Sequence, residues 1–221
     1  MCLELIVRRS QLISMFLVGL AAVALGGCSL FNSGQDSPVL FAESFDANPK
    51  QMDIYTKDTG SAGVVSGEFQ LRVFEPNYMQ WALVTQQFTD TVIEVQARKV
   101  GGPDDNLYGV VCRYQDAQNF YYLVVSSDGY YAIGGVIGGI RSLIGSTQMQ
   151  PSDVVLGGTS INHLKVPCSG STLSLEVNGV MLASVQDTNL ADGNAGLLAG
   201  AFKDAGVDVR FDNLLITRPG Q

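Results

Sequence analysis

The chain is built from short runs in which apolar and polar residues alternate, and this period of two restricts it to a β architecture. In "DTVIEVQARKV" (90–100), Ile93, Val95 and Ala97 fall on one face and Glu94, Gln96 and Arg98 on the other, the pattern of a strand with one buried side. "GEFQLRVFE" (67–75), "NFYYLVVS" (119–126), "YYAIGGVI" (130–137), "AGLLAGA" (195–201) and "VDVRFDNLLITR" (207–218) add further strands. Turn-forming stretches separate them, among them "GGPDDN" (101–106) and "SSDG" (126–129). In "STLSLEVNGVMLASVQD" (171–187), Asn178-Gly179 sits between two β-patterned runs and predicts a hairpin with a type I′ turn, which needs positive φ twice. No long stretch carries a helical period. Many short strands with evenly placed turns predict an antiparallel sandwich or barrel.

Composition agrees: 25 of 221 residues are glycine and only 15% are charged. The formal charge is −8, and no basic cluster occurs in the body of the chain. Such a surface repels phosphate backbones, so nucleic acid is excluded as a partner.

The first thirty residues have a different character. Arg8 and Arg9 precede an apolar run from Leu12 to Leu25. That run is shorter than the roughly 20 residues a membrane-spanning helix needs. Gly26 and Gly27 then precede Cys28, as at a secretory cleavage site. "LGGC" (25–28) resembles a bacterial lipobox. The resemblance implies lipidation of Cys28, cleavage before it, and a partnership with the membrane through the lipid; the alternative is an ordinary cleaved signal. The expected organisation is a lipoprotein signal peptide over 1–27, a lipidated flexible tether over 28–38, and the β domain over 39–219. The expected location is extracytoplasmic, at the outer membrane or cell surface according to envelope type.

With Cys2 in the signal and Cys28 taking lipid, Cys112 and Cys168 remain. An even pair in an extracytoplasmic domain points to a disulfide, against the alternative of two buried thiols. No C-x-x-C occurs, and His163 is the single histidine.

The order of "FAESFD", "FTDTVIEVQARKV", "YGVVCRYQDAQNFYYLVVSSDGYYAI", "NHLKVPCSGSTLSLEVNG", "AGLLAG" and "VRFDNLLI" resembles the concanavalin A-like lectin/glucanase jelly rolls. Within them it is most similar to laminin G-like modules and the 3-keto-disaccharide hydrolase-like domain. The resemblance covers nearly all of residues 40–217. It implies an all-β, antiparallel two-sheet jelly-roll sandwich, a fold that hosts enzymes, lectins and plain interaction modules, with a glycan among the ligands it accommodates. It also suggests a structural calcium, held by Asp46 in "SFD" and Asp212 in "FDN" at the two ends of the domain. Two carboxylates are few for an ion that takes six to eight oxygens.

Catalytic signatures are missing from the sequence. Glycoside hydrolysis uses two carboxylates flanking the bond, and glucanases of this fold carry them as E-x-D-x-x-E on one strand. Here Gln96 follows Glu94 on its face, and Asp104 and Asp105 are adjacent in a turn. Carboxylates converging from separate strands would escape this reading. No G-x-S-x-G elbow occurs.

Binding has better material. Sugar faces stack on aromatic rings. Tyr108, Tyr114, Tyr121, Tyr122, Tyr130 and Tyr131 cluster in the sequence, and Trp81 is the single tryptophan. Each is equally at home in a core. Parity puts Tyr108, Val110, Cys112 and Tyr114 on one face, and Gly109, Val111 and Arg113 on the other. The Cys112 face is assigned to the core. Arg113 is then expected on the open face, where it either pairs across strands with Glu94 or meets a ligand. The sequence therefore points to a noncatalytic carbohydrate-binding or adhesion module. The alternatives are a glycan-processing hydrolase of the 3-keto-disaccharide group and an envelope domain that binds protein partners.

Overall fold

A computed structural model describes residues 38–220. The signal segment, Cys28 and most of the tether lie outside the described residues. In chain order the strands are β1 (Val39–Glu43), β2 (Tyr55–Lys57), β3 (Gly60–Val65), β4 (Glu68–Val73), β5 (Met79–Phe88), β6 (Thr91–Gly101), β7 (Asn106–Asp116) and β8 (Asn119–Val125). They continue as β9 (Tyr130–Ile137), β10 (Ile140–Leu143), β11 (Gln150–Pro151), β12 (Asn162–Ser169), β13 (Thr172–Val177), β14 (Val180–Gln186), β15 (Gly193–Ala201) and β16 (Val207–Thr217). None of the described residues is helical.

All strands pair antiparallel in two sheets. One runs β14-β13-β12-β6-β16-β4-β3-β2, with β1 also on β16. The other runs β10-β9-β8-β7-β15-β5, with β11 also on β9. β6 and β16 neighbour each other although far apart in sequence, as do β7 and β15. Such crossovers make this a jelly roll, and the predicted architecture holds. Asn178 (φ 50°) and Gly179 (φ 82°) form the expected turn between β13 and β14.

The two sheets differ in what their outer faces carry. β6 buries Ile93, Val95 and Ala97 and turns Glu94, Gln96 and Arg98 outward, as its alternation requires. That outer face is ionic. Arg98 forms a two-pronged bond with Glu68 at 3.1 and 2.7 Å, and Glu94 meets Lys165 at 3.5 Å and His163 at 3.9 Å. β7, β8 and β15 are instead buried on both faces. Their inward residues, including Tyr108, Val110, Tyr121, Leu123 and Leu197, join the core between the sheets. Their outward residues form a second apolar cluster of Leu107, Val111, Phe120, Tyr122, Val124 and Leu198, with Trp81 and Tyr114 packed against it.

The predicted disulfide is present. Cys112 on β7 and Cys168 on β12 are bonded across the two sheets, with Cα atoms 6.8 Å apart and a sequence separation of 56. Both are buried.

Parity fails immediately after Cys112. Tyr114 pairs with Asn194 and Val111 with Gly196, so Cys112 and Arg113 together face Ala195. This β-bulge places Arg113 at φ 53° and reverses the facing of the residues beyond it. Gly193 makes room for it: a Cβ there would lie 2.4 Å from the Tyr114 carbonyl oxygen and 2.6 Å from the Arg113 carbonyl carbon. Two expectations are corrected. Tyr114 belongs to the outward cluster, not to the Cys112 face. Arg113 does not pair with Glu94, which lies on the other sheet.

The registers also define two ends. Val39, Thr217, Thr91 and Cys168 gather at one. Asn106, Ala201, Gly101 and Asp208 gather at the ends of their strands farthest from these. Asn162, paired with Ala97, donates to the Tyr108 hydroxyl at 3.0 Å and so ties the sheets together near this second end.

Candidate functional site

Above the outward face of the second sheet lies a cavity of about 540 Å³. Its apolar lining is Leu107, Tyr122, Val124, Ala132, Leu143, Met149 and Phe202. Arg141, Ser142, Ser146 and Thr147 supply its polar groups. A second space of about 710 Å³ adjoins it across Met149 and Phe202 and is more polar, with Asn77, Asp105, Asp128, Tyr130, Gln148 and Lys203. The two spaces share Met149 and Phe202 as a common wall and are together termed the groove. Each lies in the size range of small-molecule sites, which combine an apolar lining with a few polar groups.

Local sequence explains the groove. In "NFYYLVV" both parities are apolar, so Phe120, Tyr122 and Val124 point outward while Tyr121, Leu123 and Val125 point inward. The Tyr122 ring lies over Gly134 on the neighbouring strand, where a Cβ would come within 2.3 Å of the ring. The Tyr122 hydroxyl donates to the Ser142 carbonyl at 3.3 Å and so fastens β10 over the face. Burial pushes the Tyr122 pKa up, and the Arg141 guanidinium partly offsets this by favouring the phenolate. Beside the groove, Trp81 lies 5.8 Å from Tyr114 and 5.3 Å from Phe120 between ring centres. Phe120 in turn lies 6.3 Å from Tyr122, and these tilted contacts are the favoured aromatic geometry.

The structure sorts the residues singled out from sequence. Tyr122 lines the first lobe and Tyr130 the second, and Trp81 belongs to the adjoining aromatic row. Tyr131 packs against the inter-sheet core and donates to the Leu182 carbonyl at 3.2 Å. Tyr108 and Tyr121 are sealed in that core, out of reach of a ligand, because their parity turns them away from the groove. Arg113 is only 3% exposed. Its guanidinium donates to the Leu190 carbonyl at 2.9 Å and meets Asp90 at 3.3 Å, so its role is to hold the bulge. Of the two aspartates suggested for calcium, Asp46 accepts from Ser44 at 2.8 Å and Asp212 from the Asn213 amide at 2.8 Å. Among the described residues no group of three or more His, Cys, Asp or Glu side chains is placed to hold a metal ion.

Sequence reasoning missed Arg141, Met149 and Phe202. Arg141 and Met149 come from β10 and the loop after it, and Phe202 follows β15. The available signal was the absence of any polar parity in "NFYYLVV" and "AGLLAGA". In an antiparallel sheet that absence marks a strand with no solvated face.

The fold and groove define a two-sheet jelly-roll domain of the concanavalin A-like type, with an apolar groove on the outer face of one sheet. No family model matches the chain, and no curated protein matches it significantly. Solved structures do. The carbohydrate binding module CBM66 from Bacillus subtilis aligns with a TM-score of 0.53 at 15% identity, covering 81% of this chain and 96% of that one. A Bacillus licheniformis β-glucanase aligns with a TM-score of 0.58 at 10% identity, covering 80% and 97%. A putative glycosyl hydrolase from Parabacteroides distasonis aligns with a TM-score of 0.53 at 14% identity, covering 80% and 99%. At these identities the similarity carries the fold.

Proposed function

We propose that the protein is a lipid-anchored, extracytoplasmic, noncatalytic module that binds carbohydrate in the groove over the second sheet. The carrying observation is the first lobe, where an apolar floor with Tyr122 and Phe202 is rimmed by Arg141, Ser142, Ser146 and Thr147. Sugars need both halves of that arrangement, because a pyranose has an apolar face and an edge of hydroxyls. A carbohydrate binding module and a β-glucanase share the fold, which puts glycans among the ligand classes this scaffold accommodates.

The N-terminal sequence supports presentation from a membrane. Residues 1–27 act as the signal peptide, Cys28 takes the lipid, and the tether joins the domain at Val39.

A hydrolase is the second reading, and Asp105 and Asp128 in the second lobe are the observation that favours it. One experiment addresses both. Residues 29–221 are screened on a glycan array, and retained glycans are incubated with the protein and analysed for cleavage. Retention of intact glycan supports the proposal. Cleavage lost in Asp105→Asn or Asp128→Asn protein would replace it with the hydrolase. Stable folded protein that retains no glycan would overturn both and leave a protein partner for the apolar face.

A further inference from the structure

Arg141 differs from four other arginines of the domain. Arg72, Arg98, Arg113 and Arg210 each meet a carboxylate. Arg141 has no carboxylate within 4.0 Å among the described residues. In a chain with a formal charge of −8, acidic groups are plentiful, yet none pairs with the one cation that lines the first lobe.

Its position is fixed by the hairpin of β9 and β10. Arg141 pairs with Val136 and Leu143 with Gly134, so both share the outward face of the sheet. The turn at Gly138 and Gly139, both at positive φ, sets that register. The bond from Tyr122 to the Ser142 carbonyl fixes the strand next to it. Arg141, itself exposed, therefore lines a mostly apolar lobe.

From this we infer that the groove selects acidic glycans, with Arg141 receiving a carboxylate or sulfate group of the sugar while the ring lies on the apolar floor. The inference rests on the carbohydrate reading above and names its ligand class. A guanidinium presents a planar fork of N–H donors that matches an oxyanion through two parallel bonds. Beside an apolar wall that pair is screened less than one in open water. The acidic chain as a whole repels anions, so recognition is local to Arg141 and does not come from general attraction.

The test uses matched polymers on one affinity surface: polygalacturonate and alginate, each beside its carboxyl-reduced form, and dextran sulfate beside dextran. The protein is the mature chain, as wild type, Arg141→Gln and Arg141→Lys, with thermal unfolding confirming that each variant is folded. The expected result is retention on at least one anionic polymer, at least tenfold weaker retention on its neutral partner, and a similar loss in Arg141→Gln. Arg141→Lys should fall between, because it keeps the charge and loses the fork. Retention on carboxylated or on sulfated polymers identifies the anion. Equal retention on neutral and anionic partners, or unchanged binding by Arg141→Gln, would overturn the acidic class and leave the carbohydrate reading standing. Retention on none of these polymers would overturn it too, and the glycan array then decides separately whether neutral or other glycans sustain the carbohydrate reading.

Discussion

The Arg113 guanidinium is buried beside the disulfide and reaches the Asp90 carboxylate at 3.3 Å, while the same Asp90 oxygen accepts the Gly170 amide at 2.8 Å. Asp90 thus links the bulge on β7 to the turn between β12 and β13. Arg113→Ala removes the pair and the bond to Leu190 and leaves a void, and should destabilise the fold by about 3 kcal/mol. Asp90→Asn keeps an oxygen for Gly170 but leaves the buried Arg113 guanidinium without its counterion, so it should also cost about 3 kcal/mol. Urea unfolding of both variants measures the two losses, and an Asp90→Asn protein as stable as wild type would contradict this account.

The Cys112–Cys168 bond closes a long loop between the sheets. On the chain-entropy model its removal costs roughly 4 kcal/mol. Cys112→Ala/Cys168→Ala protein should unfold at markedly lower urea than wild type. Both sulfurs are shielded, so dithiothreitol should leave the native bond largely intact and cleave it once the domain unfolds. Mass spectrometry of trapped thiols across a urea series measures this directly.

Tyr121 and Asp187 predict stability losses at both pH extremes. Partial burial raises the Asp187 pKa, but hydrogen bonds from Tyr121 and Asn189 outweigh it and hold it below the usual carboxylate value. A depressed folded pKa means this contribution is present above the unfolded value and lost as pH falls through the folded one. Tyr121 is pushed up to about 12, by burial first and then by Asp187. Its folded state keeps the proton after the unfolded chain loses it, so stability falls as pH rises from 10 towards about 12. Unfolding free energies across pH should show both slopes in wild type and shallower ones in Tyr121→Phe.

Gly134 is the floor under Tyr122. Gly134→Ala puts a methyl group where the ring now lies, and overpacking of this kind costs about 1–3 kcal/mol. The ring must move toward the first lobe. Calorimetry should show the loss in stability, and affinity for a retained glycan should fall with it. Gly63→Ala serves as a control: its methyl group would meet only Ile54, at an ordinary 3.7 Å, on the other sheet.

The jelly roll was legible because alternation in β4, β6 and β12 separates core from solvent without ambiguity. The cross-link was legible because, with Cys2 and Cys28 set aside, Cys112 and Cys168 remain as an even pair. The side of Arg113 was not, because one bulged residue reverses facing and its cause, the close approach at Gly193, is remote in sequence. The groove was half legible. Tyr122 and Trp81 are conspicuous, but parity treats Tyr121 and Tyr122 alike when both faces are apolar. Arg141, Met149 and Phe202 converge only through the strand order β10-β9-β8-β7-β15, which no local pattern specifies.

The decisive question is where a glycan binds. Two-dimensional methyl NMR, titrating mature protein with a glycan retained on the array, reads that location. Shifts should concentrate on Met149, Leu143 and Leu107, which line the first lobe, and leave Leu71, Val95 and Val209 in the inter-sheet core unchanged. Shifts confined to residues away from the groove, such as exposed Val65 or Val180, would contradict binding there.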